Sequence, residues 1–568
     1  MGRIQACLAI AGIAVSLMPP LQAQTTQTNV AKFTSSTELV LIPTVVNDKS
    51  GVHISGLQKE EFALKQDGKS HPIAVFEEIK TDAARVRRSA GEHGTFSNFE
   101  PGSSNHRSGD YHRLNIIVLD FVNTPFPDQA NARISLLKFL SEVAESGEPM
   151  CLLALTRGGL TLIHDFTEDP KLLAEGLRKA GSNNAPLIHE STVDPGHPPT
   201  SDALGALLTK MIRGQLQTEA QLASTERKET ASLTVQALQQ VAKAFRGLAG
   251  RKALIWASSG FPFSVSPPSM LMCEPACPAH KRDEMQLAYD NLWRMMNDAQ
   301  IAIYTVDLRS AVSSTPAAEE GTFTHPYDVG DPQFDTAAQA QWKRQDTDST
   351  LQLFAENTGG KAFLGSNNLV QTFRQAVQDD SSYYMLGYYV NRSGTKTGWH
   401  QISVTIGRKG AHARYRRGFL LSRDTSTTSA RQDVQLALSS PLDFFGVPIS
   451  VTWSGNDAGE STGKTRMRFD LVMPANFASV DESDQNHMVV DIAAVARNLN
   501  GEVVAELSQR IEAHLQSDGL EQIQHNGMTY RNGLNLPPGE YTVRFVVRDS
   551  LGNRTGSVAA PLTVPRNH

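Results

Sequence analysis

The sequence predicts an α/β protein. Its centre should be a doubly wound, mainly parallel sheet, with a small β module before it and an antiparallel β-sandwich after it. Three observations predict this. Continuous apolar runs such as Asn115–Leu119 alternate with stretches of helical period between residues 112 and 420, as strands buried on both faces of a parallel sheet require. Residues 38–80 alternate at a period of two around the turn signals Asp48–Gly51 and Asp67–Gly68. Beyond residue 433 the same alternation returns. A chain of 568 residues is long enough for about three to four domains.

The elements follow in order. Arg3, an apolar stretch over residues 6–18 and the small-residue site around Ala23 have the layout of a secretory signal peptide over residues 1–23. That apolar core is shorter than the roughly 20 residues that cross a bilayer. The mature chain is therefore expected to be exported, without a transmembrane span, to the periplasm, the cell surface or the medium. Residues 85–110, rich in Arg, Gly, Ser and His, read as an exposed connection.

The α/β region opens with the strand Asn115–Leu119. Asp128 then offers a helix N-terminal oxygen to a helix carrying Leu136, Leu137, Leu140 and Val143. Strands at Cys151–Leu155, Ala253–Ala257 and Ile301–Val306 alternate with helices that carry Leu173 and Leu177, then Leu238 and Val241, then the stretch 287–296. Insertions fall near 183–201 and 312–347. Tyr383–Val390 is expected to extend the same sheet, and Trp399–Ile406 and Ala411–Tyr415 read as a strand pair with Arg408–Gly410 at the turn. Residues 420–433 read as a linker. Alternation in Met467, Phe469 and Leu471, and again in Tyr541, Val543, Phe545 and Val547, predicts an immunoglobulin-like sandwich over 433–568.

Composition excludes several classes. The balance of 53 Lys+Arg against 59 Asp+Glu, a net charge of -6, does not suit a polycationic nucleic-acid binder. Four cysteines are too few for a disulfide-built scaffold. Cys273 and Cys277, in Cys-Glu-Pro-Ala-Cys, suit a disulfide closing a short loop in an exported chain, with zinc as the alternative. Cys151 reads as a buried small side chain. Arg414–Arg417 reads as a charged sheet edge, and Tyr383, Tyr384, Tyr388 and Tyr389 as sheet-face aromatics. Gly-x-Ser-x-Gly, P-loop, Gly-x-Gly-x-x-Gly and His-Glu-x-x-His signatures are missing from the expected positions.

In an open α/β sheet, ligands gather where loops leave the carboxyl ends of the strands. Here the first such loop is Asp120-Phe-Val-Asn-Thr-Pro125. That loop, the Gly250-Arg251-Lys252…Trp256…Ser259 segment, Tyr304-Thr-Val-Asp307 and Asn357-Thr-Gly-Gly-Lys361 resemble the corresponding parts of a von Willebrand factor A-type (VWA) domain, a Rossmann-like fold. With Phe62-x-Leu64-x-x-Asp67-Gly68 and Tyr384-x-Leu386-x-Tyr388, the order over residues 38–420 is similar to exported VWA-like proteins common in acidobacteria.

That resemblance implies a metal-ion-dependent adhesion site of the form Asp-x-Ser-x-Ser, with a Thr and an Asp from two further loops. Asp120 matches the first acid and Thr124 the second hydroxyl, while Val122 replaces the first Ser and Ser259 the last Asp. Thr200 or Asp202 would come from the second loop. The implied metal ligands are Asp120 and Thr124, for Mg²⁺ if any ion binds, and the implied ligand-binding rim is Asn123, Thr200 and Ser259. The other reading of Asp120 is a structural carboxylate that holds its loop. No catalytic residues and no cofactor are expected beyond that degenerate site. The implied function is protein–protein interaction or adhesion at the cell envelope. The alternatives are a hydrolase on a doubly wound fold, for which His164–Asp165 is the nearest polar pair, and a structural envelope spacer.

Overall fold

The computed structural model describes residues 37–80, 94–99, 114–142, 149–183, 225, 228–248, 250–261, 284–309, 336–379, 382–391, 394–421, 430–458 and 463–565. The signal-peptide segment, Thr200, Asp202, Cys273 and Cys277 lie outside the described residues.

One mixed six-stranded sheet forms the centre. Its strands are β6 (Leu114–Asp120), β7 (Met150–Thr156), β8 (Gly159–Thr167), β9 (Lys252–Ser258), β10 (Ile301–Asp307) and β11 (Ala362–Phe363), in the order β11-β10-β9-β6-β7-β8. All neighbours run parallel except β7 and β8, a tight hairpin. Every residue of β6, β9 and β10 is buried, so these strands carry apolar side chains on both faces, as the continuous runs predict.

Helices cover both faces. On one lie α1 (Phe126–Glu142), α2 (Pro170–Asn183) and α6 (Leu369–Gln378), whose Leu136, Leu173 and Phe373 pack on Ile117, Leu119 and Ile255. On the other lie α3 (228–245), α4 (Glu284–Asp298) and α5 (Thr336–Thr358), whose Leu238, Trp293 and Phe354 pack on Ile116, Val118 and Trp256. Helix α5 begins at Thr336, inside the stretch expected as an insertion up to 347. Among the described residues no helix is long and apolar enough to cross a membrane.

The flanking β regions divide differently from expectation. Strands β1 (Thr37–Asn47), β2 (Phe62–Gln66), β3 (Lys69–His71) and β4 (Val75–Lys80) do not form a module alone. They pair with β12 (Ser382–Asn391), β13 (Gly398–Ile406), β14 (His412–Arg414) and β15 (Gly418–Leu421), giving the sheets β14-β1-β12-β4 and β15-β13-β2-β3. Tyr383–Val390 therefore leaves the six-stranded sheet, which it was expected to extend, and residues 382–421 close this β sandwich. The physical reason is that an apolar run such as Tyr383–Val390 fits any doubly buried strand; alternation fixes burial but not partner. Tyr383, Tyr384 and Tyr388 are buried and Tyr389 is exposed. The Tyr384 hydroxyl accepts from Leu57 N at 3.0 Å and donates to Ile54 O at 2.9 Å, and Tyr388 donates to Gln66 Oε1 at 3.0 Å.

Arg414–Arg417 is not a free sheet edge but the joint between this sandwich and the α/β layer. Arg414 pairs with Asp379 and lies over the Tyr304 ring, while Arg417 pairs with Glu356 at 2.8 Å. Arg416 is 8% exposed, and its Nε has no hydrogen-bond partner among the described residues. Burial pushes its pKa below the ordinary arginine value, opposed by the charge of Asp298.

The C-terminal sandwich consists of β16 (Ser450–Ala458), β17 (Thr465–Met473), β18 (His487–Asn498), β19 (Val503–His514), β20 (Met528–Leu536), β21 (Gly539–Asp549) and β22 (Arg554–Val564). It also takes β5 (Thr95–Ser97), from the stretch expected to be a bare connection, as the edge of the sheet β20-β17-β16-β5. Asn98 fixes that edge: its amide donates to Phe444 O and Val447 O at 2.7 and 2.9 Å and accepts from Ile449 N at 2.8 Å. Two helices interrupt the strand-like region, α7 (Ala430–Ser439) and α8 (Ser517–His525). Ala437 and Leu438 of α7, with Ala493, Val495 and Val546, join the core beneath α3. At the end of α3 a Cβ on Gly247 would lie 1.9 Å from Phe445 O, so only glycine permits this approach of the two layers.

Candidate functional site

The chain passes from β6 outward through β7 and β8, then returns to the other side of β6 as β9. That reversal opens a crevice at the carboxyl ends of β6 and β9, where ligands gather in open α/β sheets. Asp120 ends β6 and Ser258 ends β9. The loop from Phe121 to Pro125 then leads into α1.

Asp120 is 0% exposed and its carboxylate is crowded with donors. Oδ1 accepts from the backbone N–H of Val122 at 3.2 Å and of Asn123 at 3.0 Å. Oδ2 accepts from Asn123 Nδ2 at 2.7 Å, Trp256 Nε1 at 3.2 Å and Ser258 Oγ at 3.0 Å. Burial pushes the carboxyl up to about 6, against the pull of these hydrogen bonds. The Ser258 hydroxyl also lies 2.5 Å from Gly260 O. It has one proton for two acceptors, so a protonated Asp120 completes a relay from carboxyl to Ser258 Oγ to Gly260 O.

The remaining polar groups tie the two loops together. Thr124 Oγ1 accepts from Ser259 N at 3.1 Å, and Ser259 Oγ donates to Asp128 Oδ2 at 3.1 Å. Asn123 Nδ2 also donates to Thr234 Oγ1 on α3 at 3.0 Å. Gln129 Nε2 donates to Phe121 O and Thr124 O at 3.0 and 2.7 Å. Asp120, Asn123, Thr124 and Ser259 are thus brought together, as the sequence suggested. Trp256, Ser258, Asp128 and Thr234 were not foreseen as parts of the site. A tryptophan inside a fully buried strand was the available signal, because a buried indole N–H needs an acceptor.

This donor set does not fit Mg²⁺. The ion takes oxygens at about 2.0–2.1 Å and keeps several waters. Asp120 offers roughly four lone-pair positions and already accepts from four N–H groups, Thr124 Oγ1 accepts from a backbone amide, and Val122 supplies hydrocarbon. The implied ligands Asp120 and Thr124 hold the loop instead. Next along the sheet edge, Asp307 at the end of β10 receives Arg309 Nε at 2.8 Å, and Arg309 also pairs with Asp348. Burial works against the Arg309 charge, but the hydrogen bonds it donates to both carboxylates hold its pKa above the ordinary value.

Facing outward, the same loop is apolar. Phe126 is 51% exposed, and Phe121 and Val122 are half-buried. The Arg133 guanidinium lies 5.2 Å from the centre of the Phe121 ring. In the pair His164–Asp165, His164 Nδ1 lies 2.7 Å from the backbone oxygen of Asp165. A larger open cleft of about 670 Å³ lies elsewhere, between α5, β11 and β13–β14, lined by Glu356, Lys361, Gln401 and Arg414 among others. Asp120, Asn123 and Ser259 do not line it.

No family model matches this chain, and no curated protein matches it. Among solved structures it has a weak likeness to the N-terminal domain of TFIIH p34, at TM-score 0.19 and 14% identity over 47% of this chain and 97% of that one. A second weak likeness is to a von Willebrand factor type A protein from Catenulispora acidiphila, at TM-score 0.18 and 9% identity over 88% of this chain and 75% of that one. Likenesses at this level carry no argument about function.

Proposed function

We propose that this chain is an exported, non-catalytic protein that binds a protein partner at the cell envelope. In this reading the six-stranded layer is a doubly wound, VWA-like sheet, and contact is made at the rim where β6 and β9 diverge. One observation carries it: the rim's polar groups face inward and bond one another, while Phe126, which opens α1 directly after that loop, is exposed. Exposed aromatic surface beside a rigid loop suits macromolecular contact. A hydrolase would need a hydroxyl or acid able to act on substrate, and Ser258 and Asp120 are engaged with each other. Because Mg²⁺ does not fit, binding is independent of divalent metal.

A photo-crosslinking amino acid at position 126, in the full chain incubated with envelope extract, tests this reading. A discrete protein adduct is expected, insensitive to EDTA and missing when the crosslinker sits at Leu172, an exposed position on α2. Equal adducts from both positions would leave a spacer as the better description. Turnover of an ester or peptide substrate that Ser258→Ala abolishes would overturn the non-catalytic reading.

A further inference from the structure

At the open end of the C-terminal sandwich, β18 begins and β19 ends on a matched pair of histidines. His487 and His514 are directly opposed in the antiparallel ladder, and their rings stack with centroids 4.8 Å apart. Asp484, in the short 3-10 turn Glu482–Asp484 that leads into β18, reaches over both. Its Oδ2 lies 3.6 Å from His487 Nδ1 and its Oδ1 lies 4.0 Å from His514 Nε2. The ligand atoms of the three residues all lie within 4.8 Å of one another. We propose that Asp484, His487 and His514 form a Zn²⁺ site, with water completing a tetrahedron.

The chemistry of the set favours this ion. Zinc takes imidazole nitrogen and carboxylate oxygen at about 2.0–2.2 Å, which places ligand atoms about 3.3 Å apart in a tetrahedron. The Asp484–His487 and Asp484–His514 separations of 3.6 and 4.0 Å are close to that spacing. Glu512 Oε1 lies 3.1 Å from His487 Nε2. With the proton on Nε2 toward this carboxylate, the Nδ1 lone pair faces Asp484, the outer-shell arrangement that orients a metal-bound imidazole. Asp484 and His514 are 60% and 52% exposed at the side chain, so the ion has an entry path and a position for water.

The turn that carries Asp484 is held more firmly than a surface loop requires. Asp481 and His487 exchange backbone hydrogen bonds at 2.9 and 3.1 Å. The Asp481 side chain accepts from Ser483 N and Oγ at 3.0 and 2.6 Å. Asn486 and Leu515 are bonded in both directions, at 3.1 Å each. Between these ties, Gln485 and Asn486 are consecutive left-handed residues at φ 51° and 55°, and neither is glycine. Asparagine adopts this conformation readily, whereas at Gln485 it persists because the surroundings impose it, as is common at ligand sites. Here they turn the chain so that the carboxylate of Asp484 overhangs the histidine pair.

The test is calorimetric titration of the full chain, stripped with EDTA, with Zn²⁺ at pH 7.5. One equivalent is expected to bind, with affinity falling about 100-fold or more in His514→Ala and in Asp484→Asn. Glu512→Gln should weaken binding by about 10–100-fold, the usual effect of an outer-shell carboxylate. Co²⁺ should give tetrahedral visible absorption in the native chain and not in His514→Ala. These are surface substitutions, and unchanged circular dichroism will show that the variants fold. Zinc binding that is equal in native chain, His514→Ala and Asp484→Asn would place the ion elsewhere and overturn the proposal. So would a native chain that gives no heat, which would make the cluster a set of charge pairs only.

Discussion

Removing the Asp120 carboxylate tests the whole reading of the switch-point loop. In Asp120→Ala, Ser258 keeps Gly260 O as an acceptor, but four N–H groups lose theirs: Val122 N, Asn123 N, one hydrogen of Asn123 Nδ2 and Trp256 Nε1. At the low end of the cost of an orphaned buried donor, about 1 kcal/mol each, the loss is about 4 kcal/mol. At neutral pH an opposing effect intervenes. The carboxyl titrates at about 6 in the fold against about 3.9 unfolded, so its ionised form costs about 3 kcal/mol that the alanine variant escapes. The net loss at pH 7.5 is therefore about 1 kcal/mol.

The sign of the pH effect is the decisive part. A carboxyl whose pKa is raised on folding binds its proton more tightly in the native state, so its contribution to stability falls as pH rises from about 4 to about 6. Acidification from pH 7.5 to 5 should widen the gap between native chain and Asp120→Ala to between about 2 and 3 kcal/mol. Urea denaturation at the two pH values, followed by tryptophan fluorescence in EDTA, measures it. A gap that narrows on acidification would mean that the carboxylate is held ionised, as a metal ligand would be, and would refute the reasoning. So would Mg²⁺ that stabilises the native chain and not the variant.

Other predictions follow from the joints between layers. Arg416→Leu should raise stability by about 1–3 kcal/mol in urea, because a buried guanidinium whose Nε lacks an acceptor is replaced by hydrocarbon; a loss instead would mean that the charge of Asp298 had been holding it. Tyr384→Phe removes both an acceptor for Leu57 N and a donor to Ile54 O, and should cost about 1–3 kcal/mol in the same assay. A chain beginning at residue 112 leaves β12 without β1 and β4, and should elute as aggregate in size-exclusion chromatography; a soluble monomer would show that residues 382–421 fold without them.

The sequence made the central layer legible because its strands are buried on both faces. Asn115–Leu119, Ala253–Ala257 and Ile301–Val306 are apolar without interruption, and no other local structure accounts for such runs between amphipathic helices. What it could not show was partnership. Tyr383–Val390 has the same character, yet pairs with residues about 340–350 positions earlier, because burial pattern is a property of one strand and pairing is a property of two. Thr95–Ser97 was invisible for another reason: three residues are too few to carry a period, and Asn98 ties the edge through its amide rather than through hydrophobicity. At the site, Asp120, Asn123, Thr124 and Ser259 were legible from their place at strand ends. The fate of Asp120 depended on Trp256 and Ser258, whose side chains reach it across the adjacent strand.

The division of one sandwich between the two ends of the α/β layer has a consequence for synthesis. Strands β1–β4 emerge first, and β12 follows only after residues 81–381, a gap of 301 positions. At roughly 5–20 residues per second, β1–β4 wait about 15–60 s with open edges before their partners exist. Long-range pairing of this kind is slow and leaves unpaired backbone available to other chains. The nascent chain therefore depends on a holding factor, or on delayed folding, for as long as translation of its middle takes.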